Sequence, residues 1–400
     1  MAKIAILGYG TVGSGVAHVL DENVPEVTGS AGEAVSVKSI LDLREFPGDP
    51  HEAQVTHEFR EILEDPEITV VCETMGGVKP AYDFTKQLLE AGKSVCTSNK
   101  ELVAKHGPEL AQIARDHRVS YLFEASVGGG IPILRTLAGA LASERIDLIE
   151  GILNGTTNYI LTKMEEDGSS FDAVLKQAQE LGYAERDPAA DIEGHDACRK
   201  IAILGSLATG AHVNAEAVPT EGITKITADD LKMAGQLGMT VKLLGSVKIG
   251  AEGLEILVAP FLVPLSHPLA SVRGVFNAIA VHGNMLGTSM YYGQGAGKDA
   301  TASAVVADVC EIVRNAGRTV PVSLQEREVK LIPTGEAVRR FFVSMDHAGE
   351  AGFQGLFQDG QAVSSGDAAG ILTAPMKEST LVDKVAGFGD RIHWMRVAEA

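Results

Sequence analysis

Apolar residues first occur as one short unbroken run, residues 3–7, and then at Val12, Val16, Val19 and Leu20, spaced by three and four. The run predicts a strand covered on both faces, and the spacing predicts a helix with one apolar stripe. The pattern repeats downstream, with strands expected at residues 35–41, 69–73, 94–97 and 119–123 and helices at 81–91 and from about Lys100. Strands that alternate with helices predict a parallel, doubly wound α/β sheet. Between residues 211 and 265, short apolar runs such as 254–259 are separated by glycine turns, the pattern of an open sheet. Residues 291–313 open with glycines and end as an Ala/Val-rich helix. Beyond Pro333 come short strands at 338–345, 370–374 and 392–397 and a helix at 379–388. These shifts divide the chain into 1–135, completed by about 295–320, an α+β region at 136–294, and a small α+β region at 335–400.

Composition removes several function classes. A net charge of -19 and a pI near 5.0 oppose nucleic-acid binding, which needs a basic face. The first apolar run is cut by Gly8, too short for a signal segment, and no 18-residue apolar run follows, so no membrane attachment is expected. Cys72, Cys96, Cys198 and Cys310 are far apart with no C-x-x-C spacing, which suits reduced thiols in a cytoplasm. The histidines form no zinc-binding pattern.

Candidate chemistry begins where the first strand ends. GYGTVG places Gly8, Gly10 and Gly13 between a strand and a helix, the context in which G-x-G-x-x-G binds a dinucleotide in a Rossmann-type sheet. The second strand ends at Asp42, an acid suited to the ribose hydroxyls of NAD, with Arg44 nearby to take the 2′-phosphate of NADP. Cofactor preference stays open between them. Lys100 lies past the carboxyl end of a strand, where ligands bind in such sheets, and a cation is unfavourable at a helix start without a functional cause. Residues 124–133, EASVGGGIPI, leave bare backbone after a strand, suited to a sharp turn or to carbonyls converging on a monovalent cation.

Residues 181–200 gather Glu185, Asp187, Asp191, Glu193 and Asp196 ahead of Arg199 and Lys200. Ala197, Ile201, Leu204 and Ala208 make one helical stripe, so Asp196 and Lys200, four apart, share a face and can act on one ligand. The plain alternative is a surface ion pair behind a solvated loop.

GYGTVG, TSNKELVA, EASVGGGIPI, GILNGTTNYIL and the 181–200 stretch, in that order, closely resemble homoserine dehydrogenase over roughly residues 1–320. The resemblance implies NAD(P)-dependent interconversion of L-homoserine and L-aspartate 4-semialdehyde in threonine, methionine and isoleucine biosynthesis. By it, Gly8, Gly10, Thr11, Val12 and Gly13 hold the dinucleotide, and Thr97, Ser98 and Lys100 lie by the nicotinamide. Glu185 binds the substrate ammonium, Asp191 and Asp196 line the same pocket, and Lys200 exchanges the proton with Lys100 beside it. The family's sodium site maps onto Glu124 and the backbone of Val127, Gly129 and Ile131. Family members dimerise, some as tetramers, through the middle region. The tail is similar to an ACT domain, with Asp346 to Gly349 matching its D-x-x-G turn, and in the family such a module often takes L-threonine as effector. The segment after it is glycine-broken and keeps Phe353, Leu356 and Phe357 of a helical face. The alternatives are another Rossmann-fold amino-acid oxidoreductase, a methyltransferase, which has no use for two lysines, or a dinucleotide-sensing regulator, which requires a basic DNA-binding segment that this acidic chain lacks.

Overall fold

The unbroken apolar run at the N-terminus becomes the central strand of a parallel sheet in the computed structural model, which describes residues 1–345, 353 and 355–399. The strands are β1 (Ala2–Leu7), β2 (Val35–Leu41), β3 (Val55–Thr56), β4 (Ile68–Glu73), β5 (Ser94–Thr97) and β6 (Tyr121–Leu122). Their order is β3-β2-β1-β4-β5-β6, every neighbour parallel. The order reverses between β1 and β4, and ligands of such sheets bind outside the strand ends at that switch point. β6 is shorter than its apolar run because the Val119 N–H closes back on the Ala114 carbonyl at 2.9 Å, ending the preceding helix.

Burial explains why distant sequence joins this sheet. Ile4, Ile6, Val16 and Leu20 pack with Ala302, Val305, Val306 and Val309 of the helix Lys298–Arg314, all at most 4% exposed. A Cβ on Gly15 would lie 2.9 Å from the Ala302 Cβ, so the two helices meet where side chains are smallest. The first compact unit is accordingly Met1–Glu144 with Ala202–Ala217 and Gly293–Val329, and the second is Arg145–Ile201 with Val218–Tyr292 and Lys330–Ala400.

The second unit is built on a nine-stranded mixed sheet. Its strands are β7 (Ile146–Ile152), β8 (Met239–Gly250), β9 (Gly253–Pro264), β10 (Phe276–Gly283), β11 (Gly287–Gln294), β12 (Phe341–Met345), β13 (Gln361–Ser365), β14 (Ala368–Leu372) and β15 (Ile392–Val397). The order is β11-β10-β7-β8-β9-β15-β12-β14-β13. The run read from sequence as sheet alone also holds the helix Ala228–Gln236, started by a capping box in which Thr227 and Asp230 satisfy each other's backbone N–H. No helix among the described residues is long and apolar enough to cross a membrane.

Residues 335–400 have a core of their own around Phe341, Val343, Phe353, Phe357, Ile371 and Leu381. Phe353, Leu356 and Phe357 thus pack inward although the chain around them is broken by glycine. The D-x-x-G turn at residues 346–349 lies outside the described residues. The tail's strands also continue the middle sheet: β15 pairs parallel with β9 at Phe261 and Leu262, and the Ser344 hydroxyl donates to Asp230 at 2.6 Å.

Ending the chain after Thr334 therefore uncovers an apolar edge, since Phe261 and Leu262 are at most 2% exposed in the intact protein. Losing about 4 kcal/mol of burial there should lower the Tm by roughly 6 °C and leave a strand edge that templates self-association. Calorimetry and light scattering check this. An unchanged Tm with no higher-mass species would make the tail a free appendage.

Candidate active site

In the first unit the glycine turn is shaped by close backbone approach. Gly8 has φ +87°, and a Cβ on Gly13 would stand 1.9 Å from the Gly8 carbonyl oxygen, whereas Gly10 faces open space. Thr11 opens the helix Thr11–Glu22 with no side-chain cap at Gly10, so its first N–H groups are offered to an anion, and Val12 is half-buried behind them. This is the geometry a pyrophosphate requires. Beside it lies a cavity of about 460 Å³ lined by Gly8, Asp42, Arg44, His57, Met75 and Phe84.

Asp42 and Arg44 engage each other at this cavity. Arg44 Nε and Nη2 donate to the two carboxylate oxygens at 2.9 Å each, and the Tyr9 N–H of the glycine turn donates to Oδ2 at 2.7 Å. The Arg44 guanidinium holds the Asp42 carboxyl well below the usual carboxylate range. The His57 imidazole bonds the Asp42 carbonyl at 2.6 Å.

The turn after β5 carries Thr97, Ser98 and Lys100. Asn99 caps the helix Lys100–Asp116 by accepting the Leu102 N–H at 3.1 Å, so Lys100 is its first residue. Thr97 is buried, and Ser98 and Lys100 are half-buried.

The 124–133 loop folds its acid back onto the following backbone. The Glu124 carboxylate accepts the Leu134 N–H at 2.9 Å and the Arg135 N–H at 2.7 Å, and its own N–H donates to Asp308 at 2.9 Å. Among the described residues no three His, Cys, Asp or Glu side chains gather as a metal site, so a cation here would rest on carbonyls. Val127, Gly129 and Ile131 are buried, and a Cβ on Gly129 would meet the Gly295 backbone at 2.7 Å.

The helix His195–Thr209, whose start to Ile201 belongs to the second unit, begins as its stripe requires, and Asp196 and Lys200 pair across one turn with Nζ 2.7 Å from Oδ2. Lys200 Nζ also donates to the Leu153 carbonyl at 2.8 Å, and both side chains are buried. Asp191 joins them through a residue the sequence reading passed over. Asn154 Nδ2 donates to Asp191 Oδ1 at 2.7 Å and to Asp196 Oδ2 at 3.0 Å, while its Oδ1 accepts the Thr157 N–H and caps the helix Gly155–Asp167. An Asn just before a helical run is an N-cap signal that would have marked it. Burial pushes the Asp191 carboxyl up, the Asn154 bond opposes this, and the Asp196 charge adds to it.

Glu185 is not part of this cluster. It lies on the exposed loop before Pro188, and among the described residues its carboxylate makes no hydrogen bond; its carbonyl accepts Gln179 Nε2 at 3.1 Å. The arrangement is a buried ammonium paired with the Asp196 carboxylate, which the Asn154 amide links to a second carboxylate, Asp191. It can hold an ammonium-bearing substrate and exchange one proton with it.

Two family models match the chain: homoserine dehydrogenase, NAD binding domain, over residues 8–124, and homoserine dehydrogenase over 132–310. Among curated proteins, the homoserine dehydrogenase of Synechocystis sp. is 46% identical over 319 residues, covering 78% of this chain and 73% of that one. Among solved structures, a homoserine dehydrogenase from Thiobacillus denitrificans superposes with a TM-score of 0.91 at 34% identity, covering 100% of this chain and 98% of that one. A hyperthermophilic archaeal homoserine dehydrogenase mutant in complex with NADPH has a TM-score of 0.67 at 29% identity, covering 78% and 97%.

Proposed function

The chain belongs to the homoserine dehydrogenase family, and from that premise we propose how its own residues carry the family's reaction. It is an NAD(P)-dependent oxidoreductase that interconverts L-homoserine and L-aspartate 4-semialdehyde. The observation that carries the residue roles is the buried contact of Lys200 with Asp196 and the Leu153 carbonyl.

The bound dinucleotide supplies or accepts the hydride. An ammonium has three N–H donors, and Asp196 and Leu153 take two of those of Lys200. The third serves the substrate oxygen: it stabilises the negative charge that develops as the aldehyde is reduced, then delivers the proton. In the oxidation direction the neutral amine takes the hydroxyl proton back. Asp191 and Asp196, with Glu185 from the loop before Pro188, answer the substrate's ammonium. The substrate's carboxylate meets the first N–H groups of the helix that starts at Gly155. Lys100, first in its own helix, assists at the nicotinamide side with Thr97 and Ser98.

Gly8, Gly10, Thr11, Val12 and Gly13 hold the pyrophosphate, and the Asp42–Arg44 pair meets the adenosine ribose. Arg44 is 62% exposed at its side chain and can turn to a 2′-phosphate, a reading supported by the archaeal relative solved with NADPH, while Asp42 serves a plain ribose. A sodium ion on the Glu124, Val127, Gly129 and Ile131 carbonyls would be structural. We read the chain as a cytoplasmic homodimer or homotetramer in the synthesis of threonine, methionine and isoleucine. The tail is read as ACT-like with L-threonine as its effector; the order β15-β12-β14-β13 is the 4-1-3-2 order of a β-α-β-β-α-β unit, which supports that reading.

Mixing the protein with L-homoserine and either NAD or NADP should raise absorbance at the reduced-nicotinamide band, and silence with both would overturn the assignment. Glu185→Gln should raise the KM for homoserine roughly 10-fold, by removing a charged partner of the substrate, and leave kcat nearly unchanged. If kcat collapses at constant KM, Glu185 takes part in the chemistry.

A further inference from the structure

Glu73 has no role in the reading so far, yet it ends β4, beside the switch point, with no exposed surface. Its carboxylate is held by neutral donors: Oε1 accepts the Met75 N–H at 2.8 Å and Oε2 accepts the Thr97 hydroxyl at 2.5 Å. Its carbonyl accepts the Ser98 N–H at 3.3 Å. The chain of bonds continues outward. Thr97 Oγ1 accepts the Asn99 N–H at 2.9 Å, and the Asn99 amide donates to the Gly77 carbonyl at 2.7 Å while capping the Lys100 helix. Every residue of the turn before Lys100 is therefore tied, directly or through one neighbour, to Glu73.

A glutamine would fill the same space at lower cost, because an acid buried among neutral donors must carry its charge without water. Burial pushes the Glu73 carboxyl up to about 7, with the Thr97 and Met75 bonds opposing. The charge has a directional use. Above that pH the carboxylate is an acceptor only, so it obliges the Thr97 hydroxyl to donate inward and leaves the Thr97 oxygen to receive the Asn99 N–H. A carboxamide in that place keeps its oxygen for the Met75 N–H and turns its own N–H donors on Thr97, so the hydroxyl loses its inward acceptor.

We propose that Glu73 is a positioning residue for hydride transfer, fixing through the Thr97 hydroxyl the turn that carries Ser98 and Lys100 at the nicotinamide end. This rests on the homoserine dehydrogenase reading, which the wild-type assay tests by itself. A turn displaced by a fraction of an ångström loses rate, not affinity, because reacting groups must be held in near-attack geometry. The test is steady-state kinetics of homoserine oxidation for the full chain carrying Thr97→Val, Thr97→Ser, Glu73→Gln and the Val/Gln double substitution, with dinucleotide Kd from fluorescence titration. Thr97→Val and Glu73→Gln should each lower kcat by roughly 10- to 100-fold at a near-constant KM for homoserine. Thr97→Ser, which keeps the hydroxyl, should retain clearly more of the rate than Thr97→Val, and the double substitution should be no worse than the poorer single one. Thr97→Ser failing as badly as Thr97→Val, or losses that multiply in the double variant, would overturn the proposal. So would a Glu73→Gln enzyme with unchanged kcat. If Glu73→Gln does not fold, the Val/Ser comparison alone decides, since both replace a residue of similar size and only one removes the hydroxyl.

Discussion

Replacing Lys200 by alanine is expected to lower kcat for homoserine oxidation by about 10²–10⁴-fold, the usual contribution of a positioned general acid or base, while the dinucleotide Kd stays at its wild-type value. The expectation follows from the Nζ contacts: Asp196 at 2.7 Å and the Leu153 carbonyl at 2.8 Å aim the group from two sides. The dinucleotide turn lies elsewhere in the chain, at Gly8–Gly13, so its affinity should be indifferent. Removing one partner of a buried ion pair also costs roughly 3–5 kcal/mol of stability, since Asp196 is left with a buried charge. Lys200→Arg separates the two effects. It keeps a cation for Asp196, but a guanidinium does not give up its proton in a protein and cannot act as the base. A well-folded Lys200→Arg enzyme should therefore be nearly as impaired in oxidation as Lys200→Ala. Stopped-flow measurement of the first turnover checks both, and near-normal turnover in either variant would remove Lys200 from the chemistry.

Gly13→Ala is expected to abolish useful cofactor binding. The added Cβ would meet the Gly8 carbonyl oxygen at 1.9 Å and the Thr74 hydroxyl at 2.9 Å. The first obstacle is backbone, and it cannot swing aside as a flexible side chain could. Thr74 Oγ1 already donates to the Gly8 and Leu7 carbonyls at 2.8 and 3.0 Å, which pins the other wall. The turn must open, and overpacking of this kind costs about 1–3 kcal/mol or more, so the dinucleotide Kd should rise by roughly 10²-fold. Gly10→Ala is the internal comparison: its Cβ would find nothing within 4 Å in the free protein. A Gly10→Ala chain should fold normally and lose affinity only where the ligand's phosphates approach. Isothermal titration with NAD and NADP, alongside thermal melts, reads both variants. A Gly13→Ala protein that binds like the parent would mean the turn does not form as described.

What could be read along the chain is what local geometry decides. The alternation of apolar runs with helical stripes is imposed by strand and helix periods, and it led directly to β1, β2, β4 and β5 and to the helix carrying Lys200. The glycine turn and the pairing of Asp196 with Lys200 are likewise short-range, since an i,i+4 spacing places two side chains on one face whatever surrounds them. Tertiary structure decided which of these residues meet. Asn154 reaches Asp191 and Asp196 from 37 and 42 positions away, and no local pattern encodes that convergence. Glu185, close to them in sequence, stays on an exposed loop because nothing buries it. The Glu124 carboxylate was legible as an acid beside bare backbone, but the two N–H groups that occupy it appear only once residues 134 and 135 fold back on it. The tail's strands were visible in sequence, yet their continuity with the middle sheet depends on the edge of β9 being open to β15. Periodicity is a property of neighbouring residues, whereas a site is made where burial and hydrogen-bond satisfaction draw distant segments to one place.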